Sequence, residues 1–452
     1  MGLVTGVESY IFSGWLIYYY LLVLIGLFYV LFKIKPQKLN IFLVLLFWEG
    51  LIVYVDYQYI SYAREAYRIG LILFSILLFG GSVFKNSSNS VYFINVIFGL
   101  FTLSFWITYQ INDTSLLTTA SQYGLKYLLP FLIFHQFLNN RFSDELIVHH
   151  IDTIRVVLII QILLSVAKVI ILGFGESIVG SISFIGGGPA ATIPVIGILF
   201  IWVTSFGLIK KKDWLLILGM LVIVLVSNKR APVIIIPFIL LYLYVYVNRT
   251  KNLLSFIKYI PIVVLVFYIG VRTNPTLNPQ GSRWGSFNLQ FTYQYIIDYT
   301  FGSEERRKED LTYGKGGTLL MFLSKSTLEM PLDELLFGTG IDKVLKSYDD
   351  FDHEAYGVSS RGAISGAVSK FITLGILGFI LNVLFGLSLI NTIKFYRLRN
   401  LLIGYFLFDY MLYNGTLIEH GATLFLFLFV IRFSGIIPKL NSNHTITAPI
   451  TQ

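Results

Sequence analysis

Cysteine is absent from the 452 residues, which excludes disulfides, thiol nucleophiles and thiolate metal sites. Charge is scarce as well. Asp, Glu, Lys and Arg together make up 13% of the chain, against roughly 25% in soluble domains. There is no internal repeat and no matched pair of Gly/Pro-broken helices, the usual pointer to a secondary transporter. What is there is apolar: 56% hydrophobic and 16% aromatic residues, with a mean hydropathy of +0.73. Such a chain belongs with the polytopic membrane proteins, and its length counts helices rather than soluble domains.

Apolar runs near 13–33, 39–57, 67–85, 90–110, 122–140, 153–173, 189–209, 213–228, 231–248, 254–271, 365–392, 400–417 and 419–437 predict thirteen spans. Twelve or fourteen are also compatible, because the first run and the tight 228–231 connection carry the weakest signals. The first span can itself serve as the insertion signal. Gly186-Gly187-Gly188-Pro189 reads as a turn followed by a helix start, with Pro189 near the first helical position. The expected fold class is an all-α polytopic membrane protein in three parts. These are an N-terminal transmembrane helix bundle (1–271), one large polar loop (272–364), and C-terminal transmembrane helices with a short tail (365–452).

The net charge of +9 would suggest nucleic acid were it not for its placement. Lys33, Lys35 and Lys38, Lys210 to Lys212, Arg249 and Lys251, and Lys394, Arg397 and Arg399 all lie in short loops. That is the cytoplasmic signature of the positive-inside rule, and it needs no polyanionic partner. The stretch 272–364 instead holds ten basic and thirteen acidic residues. With the basic loops inside, the N-terminus lies outside and the C-terminus inside. Residues 57–66, 111–121, 174–188, 227–231, 272–364 and 414–418 then face outward, which in a bacterium is the periplasm or cell exterior.

Against that topology Ser227-Asn228-Lys229-Arg230-Ala231-Pro232 puts two cations at the outer membrane edge, contrary to the orientation bias. The guanidinium of Arg230 is a fixed fork of donors matched to phosphate oxygens; the competing reading is snorkelling or lipid headgroup contact. Further outward cations are Arg272, Arg283, Lys315 and Arg361. Arg306, Arg307 and Lys308 sit among Glu304, Glu305, Glu309 and Asp310 and read as a self-compensated, solvated face. His353 follows Asp349, Asp350 and Asp352 and precedes Glu354. Acidic neighbours favour the protonated ring and can orient it, and a neutral imidazole near a sugar hydroxyl can accept its proton. Glu354 is the substitute base, and plain solvation is the alternative for His353. Asp350-Phe351-Asp352 is too short a pattern to argue for a metal, and none is expected. Glu49, Gln161, Lys168 and Asp409 fall inside apolar runs, as functional groups or as helix–helix hydrogen bonds. Glu419-His420 stands where it can line the same cavity as the loop.

With these residues in view, the chain resembles the bacterial O-antigen polymerase and O-antigen ligase superfamily. The similarity lies in the many-span layout, the single large outer loop in the C-terminal half and the outward Ser-Asn-Lys-Arg turn at 227–230. It lies most of all in the ordered set Pro331-Leu332-Asp333-Glu334-Leu335-Leu336-Phe337-Gly338-Thr339-Gly340, His353, and Ser365 to Phe379 with its Leu374-Gly375-Ile376-Leu377-Gly378 core. The chain departs from the family pattern where an arginine commonly precedes the Phe-Gly-x-Gly turn. Here the region reads Tyr313-Gly314-Lys315-Gly316-Gly317, so Lys315, Arg283 or Arg307 would take that place.

The resemblance implies a GT-C-like helical fold and a metal-independent glycosyltransferase in a bacterial inner membrane, with its site facing the periplasm. It implies an undecaprenyl-diphosphate-linked oligosaccharide donor, an acceptor hydroxyl on another such unit, and no nucleotide sugar or cofactor. Arg230, His353 and Arg283 would be catalytic, with Lys229, Arg272, Lys315, Glu354 and Arg361 binding substrate. Membrane lipids and a chain-length regulator are the expected further partners; nucleic acid is not. A polymerase is the preferred member, a ligase with the same donor the nearest rival. A lipid-linked oligosaccharide flippase, or a GT-C transferase using Asp56, are the alternatives from other classes.

Overall fold

The computed structural model describes residues 15–33, 38–58, 63–79, 89–112, 116–138, 144–175, 178–183, 188–205, 210–243, 260–301, 319, 330–340 and 365–443. The described residues are helical, and the β-pairing among them is a single isolated bridge between Val179 and Ser181. In chain order the first helices are α1 (Trp15–Lys33), α2 (Lys38–Phe47), α3 (Glu49–Gln58), α4 (Ala63–Phe79) and α5 (Asn89–Ile111). Then come α6 (Leu116–Tyr123), a π-turn (Gly124–Leu128), α7 (Leu129–Leu138), α8 (Asp144–Leu172), α9 (Gly188–Thr204), α10 (Lys211–Val226) and α11 (Arg230–Tyr242). The remainder is α12 (Ile260–Thr273), α13 (Leu289–Phe301), α14 (Leu332–Phe337), α15 (Gly366–Asn391), α16 (Tyr396–Leu412), α17 (Thr416–Glu419) and α18 (Gly421–Asn443).

Each apolar run of the sequence overlaps one of these helices. Among the described residues four stretches, Leu16–Lys33, Val91–Ile111, His150–Leu172 and Gly366–Asn391, are long and apolar enough to cross a bilayer. The surface agrees with a lipid solvent. α1 buries Tyr19, Val23 and Val30 inside the bundle yet leaves Ile25, Phe28 and Phe32 exposed. Water would disfavour such a face and hydrocarbon does not. The protein is embedded in a membrane.

The bundle is organised around α9, which is buried at every position and packs on α10, α11 and α18. A helix apolar all round has no polar face to offer a solvent, so it goes to the centre. α8 and α10 are clamped at one end by Arg155, whose Nη2 donates to Asp213 Oδ1 at 2.9 Å.

Two of the apolar runs are broken where a distant part of the chain packs against them. The run 39–57 divides at Trp48 into α2 and α3, and the opening is filled by residues 178–183. Gly50 N donates to Ser181 O at 3.0 Å, and Ser181 Oγ donates to Phe47 O at 2.9 Å. The sequence places this segment in an outward connection; the structure buries Val179, Ser181 and Ile182 in the bundle. Gln161 and Lys168 hold it there, through Gln161 Nε2 to Ser181 Oγ at 2.9 Å and Lys168 Nζ to Ser183 O at 2.9 Å. Irregular backbone is tolerated inside a bundle when protein groups satisfy it.

The other break is in α15. At Gly375 the backbone leaves the helix at φ 66°, ψ −174°, a region open essentially to glycine alone. The freed carbonyl of Ile372 accepts from Thr339 N at 2.8 Å and Thr339 Oγ1 at 3.1 Å. Gly338, at φ 81° and ψ 177°, lies directly against that break. From the other side α5 closes the turn, with Asn112 Nδ2 donating to Gly338 O at 3.2 Å and Thr108 Oγ1 donating to Phe337 O. The Phe-Gly-Thr-Gly turn and the Leu-Gly-Ile-Leu-Gly helix are thus two halves of one backbone-to-backbone contact.

Candidate functional site

At one end of the bundle the C-terminal end of α8, the start of α11 and the C-terminal end of α12 come together. The connection from α10 to α11 is too short for an ordinary loop. Asn228 turns the chain in the left-handed region at φ 54°, which asparagine tolerates better than most residues. Lys229 then takes the N-cap position of α11 and Arg230 its first turn. The unpaired N–H groups and positive end of a helix start favour an anion here, and Arg230 adds a full charge to them.

A second turn, 274–288, packs over the first. Asn274 Nδ2 donates to Asn228 O at 3.0 Å. Asn278, 1% exposed, donates through Nδ2 to Asn274 O at 2.9 Å and Ser282 O at 2.8 Å and so fastens the turn from inside. Asn288 Oδ1 accepts from Phe291 N at 3.0 Å, capping α13. Thr292 Oγ1 donates to Leu277 O at 3.0 Å, tying that helix back to the turn.

This scaffold delivers three of the arginines that the sequence singles out. Arg283 Nη2 donates to Asn228 Oδ1 at 2.5 Å, and its guanidinium lies over the Phe174 ring, 3.2 Å from the centroid. Arg230 lies over the Tyr295 ring of α13 at 5.2 Å. Arg272 is used differently. Its Nε donates to Gly285 O at 2.8 Å, Nη2 to Trp284 O at 3.1 Å and Nη1 to Tyr268 Oη at 3.1 Å. It therefore shapes the turn that carries Arg283. Among the described residues the two non-glycine positions with positive φ are Asn228 and Trp284 at 61°, the immediate neighbours of Lys229-Arg230 and of Arg283. Strain of this kind costs about 1–3 kcal/mol per position and gathers at functional sites.

Lys229 is buried beside Arg230. Lys315, His353, Glu354 and Arg361 lie outside the described residues. The acidic groups inside the apolar runs have internal partners. Asp409 Oδ2 accepts from Leu417 N at 2.8 Å, and Glu49 Oε2 is 3.6 Å from His420 Nε2. Asp56 Oδ1 accepts from Arg64 N at 3.2 Å. Asn228, Asn274, Asn278 and Tyr295 build the arginine rim without any sequence signal for that role beyond their nearness to charged residues.

Asn228→Gly isolates the link between the two turns, since glycine keeps the positive φ at no steric cost and removes only the acceptor for Arg283. A hydrogen bond to a charged group contributes about 1.5–3 kcal/mol. The expected result is a melting temperature several degrees below that of the wild type, measured on the purified variant; an unchanged melting temperature would show that the link does not hold the two turns together.

No protein-family model matches the sequence, and neither a curated protein nor a solved structure matches it.

Proposed function

We propose that this protein is a polysaccharide polymerase of the O-antigen or capsule type, acting on the outer face of a bacterial inner membrane. It joins repeat units carried on undecaprenyl diphosphate. The observation that supports this reading best is the arginine rim, in which Arg283 reaches Asn228 beside Arg230 and the neighbouring backbone is held in unfavourable conformations at both turns.

In the reaction a hydroxyl of the incoming unit attacks the anomeric carbon at the reducing end of the growing chain. The bond from that carbon to the diphosphate oxygen breaks, the electron pair leaves with the diphosphate, and the hydroxyl proton passes to a base. Negative charge grows on the leaving group in the transition state. One preorganised donor at such a developing charge is worth about 3–4 kcal/mol, and a guanidinium presents two donors to one phosphate. Arg230 is assigned to the diphosphate, with Arg283 assisting and Arg272 holding the turn. His353, with Glu354 as the substitute, is assigned to the acceptor hydroxyl, where general base catalysis contributes about 10²–10⁴ in rate.

The test is incubation of the purified protein with a defined undecaprenyl-diphosphate repeat unit, followed by sizing of the products. A ladder of lengthened, still lipid-linked chains is expected. Recovery of unextended substrate under conditions where the protein stays folded would remove the reading.

A further inference from the structure

Elements that take no part in the arginine rim converge on a second charged centre inside the bundle. The π-turn presents Lys126, the first turns of α15 present Lys370, and α17 ends at Glu419 between them. Lys370 Nζ lies 2.6 Å from Glu419 Oε1 and Lys126 Nζ lies 3.2 Å from Glu419 Oε2. Three independent features fix this meeting. Gly366 packs on Gly415, with Gly366 N donating to Tyr413 O at 2.8 Å, which sets the start of α15 against the loop leading to Glu419. Asp409 Oδ2 fixes that loop at Leu417. The π-turn supplies the remaining register shift, and such one-turn insertions are frequent at functional sites.

A single carboxylate bridging two ammonium groups leaves one positive charge of the trio uncompensated. Arg68, buried on α4, also lies within electrostatic reach of Lys126, but Glu49, Glu65 and Asp56 lie within reach of Arg68 and compensate it, so the excess charge is that of the trio. Two hydroxyls surround Glu419 as well. Tyr127, whose ring sits 5.2 Å from Lys370 Nζ, is 1% exposed, and Tyr410 is 2% exposed. Neither phenolic oxygen has a hydrogen-bond partner among the described residues, and both lie within electrostatic reach of Glu419. A buried hydroxyl left unpaired is a standing penalty that native structures avoid. The centre is also not sealed, since the side chains of Lys126 and Glu419 keep 21% and 19% of their exposure. Excess positive charge, unpaired buried donors and residual access together specify an acceptor-rich anion.

We infer that Lys126, Lys370, Tyr127 and Tyr410 form a second anion-binding site for a diphosphate group. Glu419 holds the two lysines in place and competes with the ligand for them. The identity of the ligand rests on the polymerase reading, and the site itself does not. A polymerase must hold two lipid diphosphates at once, and two separate cationic centres provide one for each.

The test uses the full chain, purified in an uncharged detergent, with farnesyl diphosphate as the probe and calorimetry as the readout. Two molecules are expected per chain. The double variant Y127F/Y410F removes only the two unpaired hydroxyls, so its fold is preserved. It should weaken one of the two binding events by at least about tenfold and leave the other unchanged. E419Q, which takes away the competing carboxylate, should tighten that same event by at least about threefold, a gain that a purely structural ion trio would not produce. Unaltered binding in Y127F/Y410F overturns the site, whether or not E419Q folds. If the wild type binds one molecule and Y127F/Y410F loses it, the site stands and the two-substrate assignment falls with the arginine rim. Displacement of the probe by inorganic pyrophosphate with equal affinity would overturn the lipid-linked ligand, as would equal displacement by phosphatidylglycerol; weaker competition by both supports it.

Discussion

Arg230→Ala is expected to abolish polymer while the amount of membrane-inserted protein stays at the wild-type level. The half-buried side chain stands in the first turn of α11, where it packs over the ring of Tyr295 and belongs to the rim and not to the apolar core. Its removal therefore opens no core cavity of the kind that unfolds a protein. Under the proposed mechanism, what is lost is the charge beside the departing diphosphate, and one such donor accounts for about 10²–10³ in rate. Arg230→Lys should recover part of the activity, since a lysine restores the charge but cannot reproduce the two-pronged contact. The measurement is a polymer ladder on a gel beside an immunoblot of the same membranes. Full-length polymer from Arg230→Ala would withdraw the residue from the mechanism.

Gly375→Ala should have the largest effect on folding. A side chain at that position would be driven into the carbonyl group of Leu336, and its backbone would have to keep φ at 66°. Gly338→Ala approaches the same contact from the other side, with its Cβ 2.5 Å from the backbone nitrogens of Leu374 and Gly375. Neither neighbour is a flexible side chain that can swing away. The conformational strain alone is about 1–3 kcal/mol, and the overlap adds to it. Either variant should consequently detach the 332–340 segment from α15, seen as a fall of several degrees in melting temperature and loss of the monodisperse peak on gel filtration. Gly404→Ala is the control. That glycine lies within α16 with nothing near its Cβ position, where alanine favours the helix by about 1 kcal/mol. Equal stability of Gly375→Ala and Gly404→Ala would show that the glycine pair is dispensable.

The helices were legible because their apolar runs are long, and bilayer thickness turns run length into a prediction. The breaks inside them were not. Nothing around Trp48 marks the division of α2 from α3, since its cause is the segment 178–183, more than a hundred residues away. That segment, short and rich in serine and glycine, reads locally as a surface connection; only Gln161 and Lys168 on another helix make its burial affordable. The glycines of 338 and 375 stood out as a pattern, but the need for glycine is visible only when the two backbones face each other. Of the site, Arg230 and Arg283 were each recognisable as cations on an unexpected side. Their partnership through Asn228 was not, because hydrogen bonding across 55 residues leaves no local spacing. Lys126 is farther still in sequence from Lys370 and Glu419, and each of the three is an isolated charge near the end of an apolar run.

A common reaction centre requires the arginine rim and the loop histidine on one side of the membrane, and the cysteine-free sequence makes this directly measurable. Single cysteines placed at Ser282, beside Arg283, and at Asp352, beside His353, would be probed on intact cells with a membrane-impermeant maleimide, with Lys212→Cys as the inward reference. Both outer positions should label before permeabilisation and the reference only afterwards. Labelling of Ser282→Cys and Asp352→Cys from opposite sides would contradict the common reaction centre.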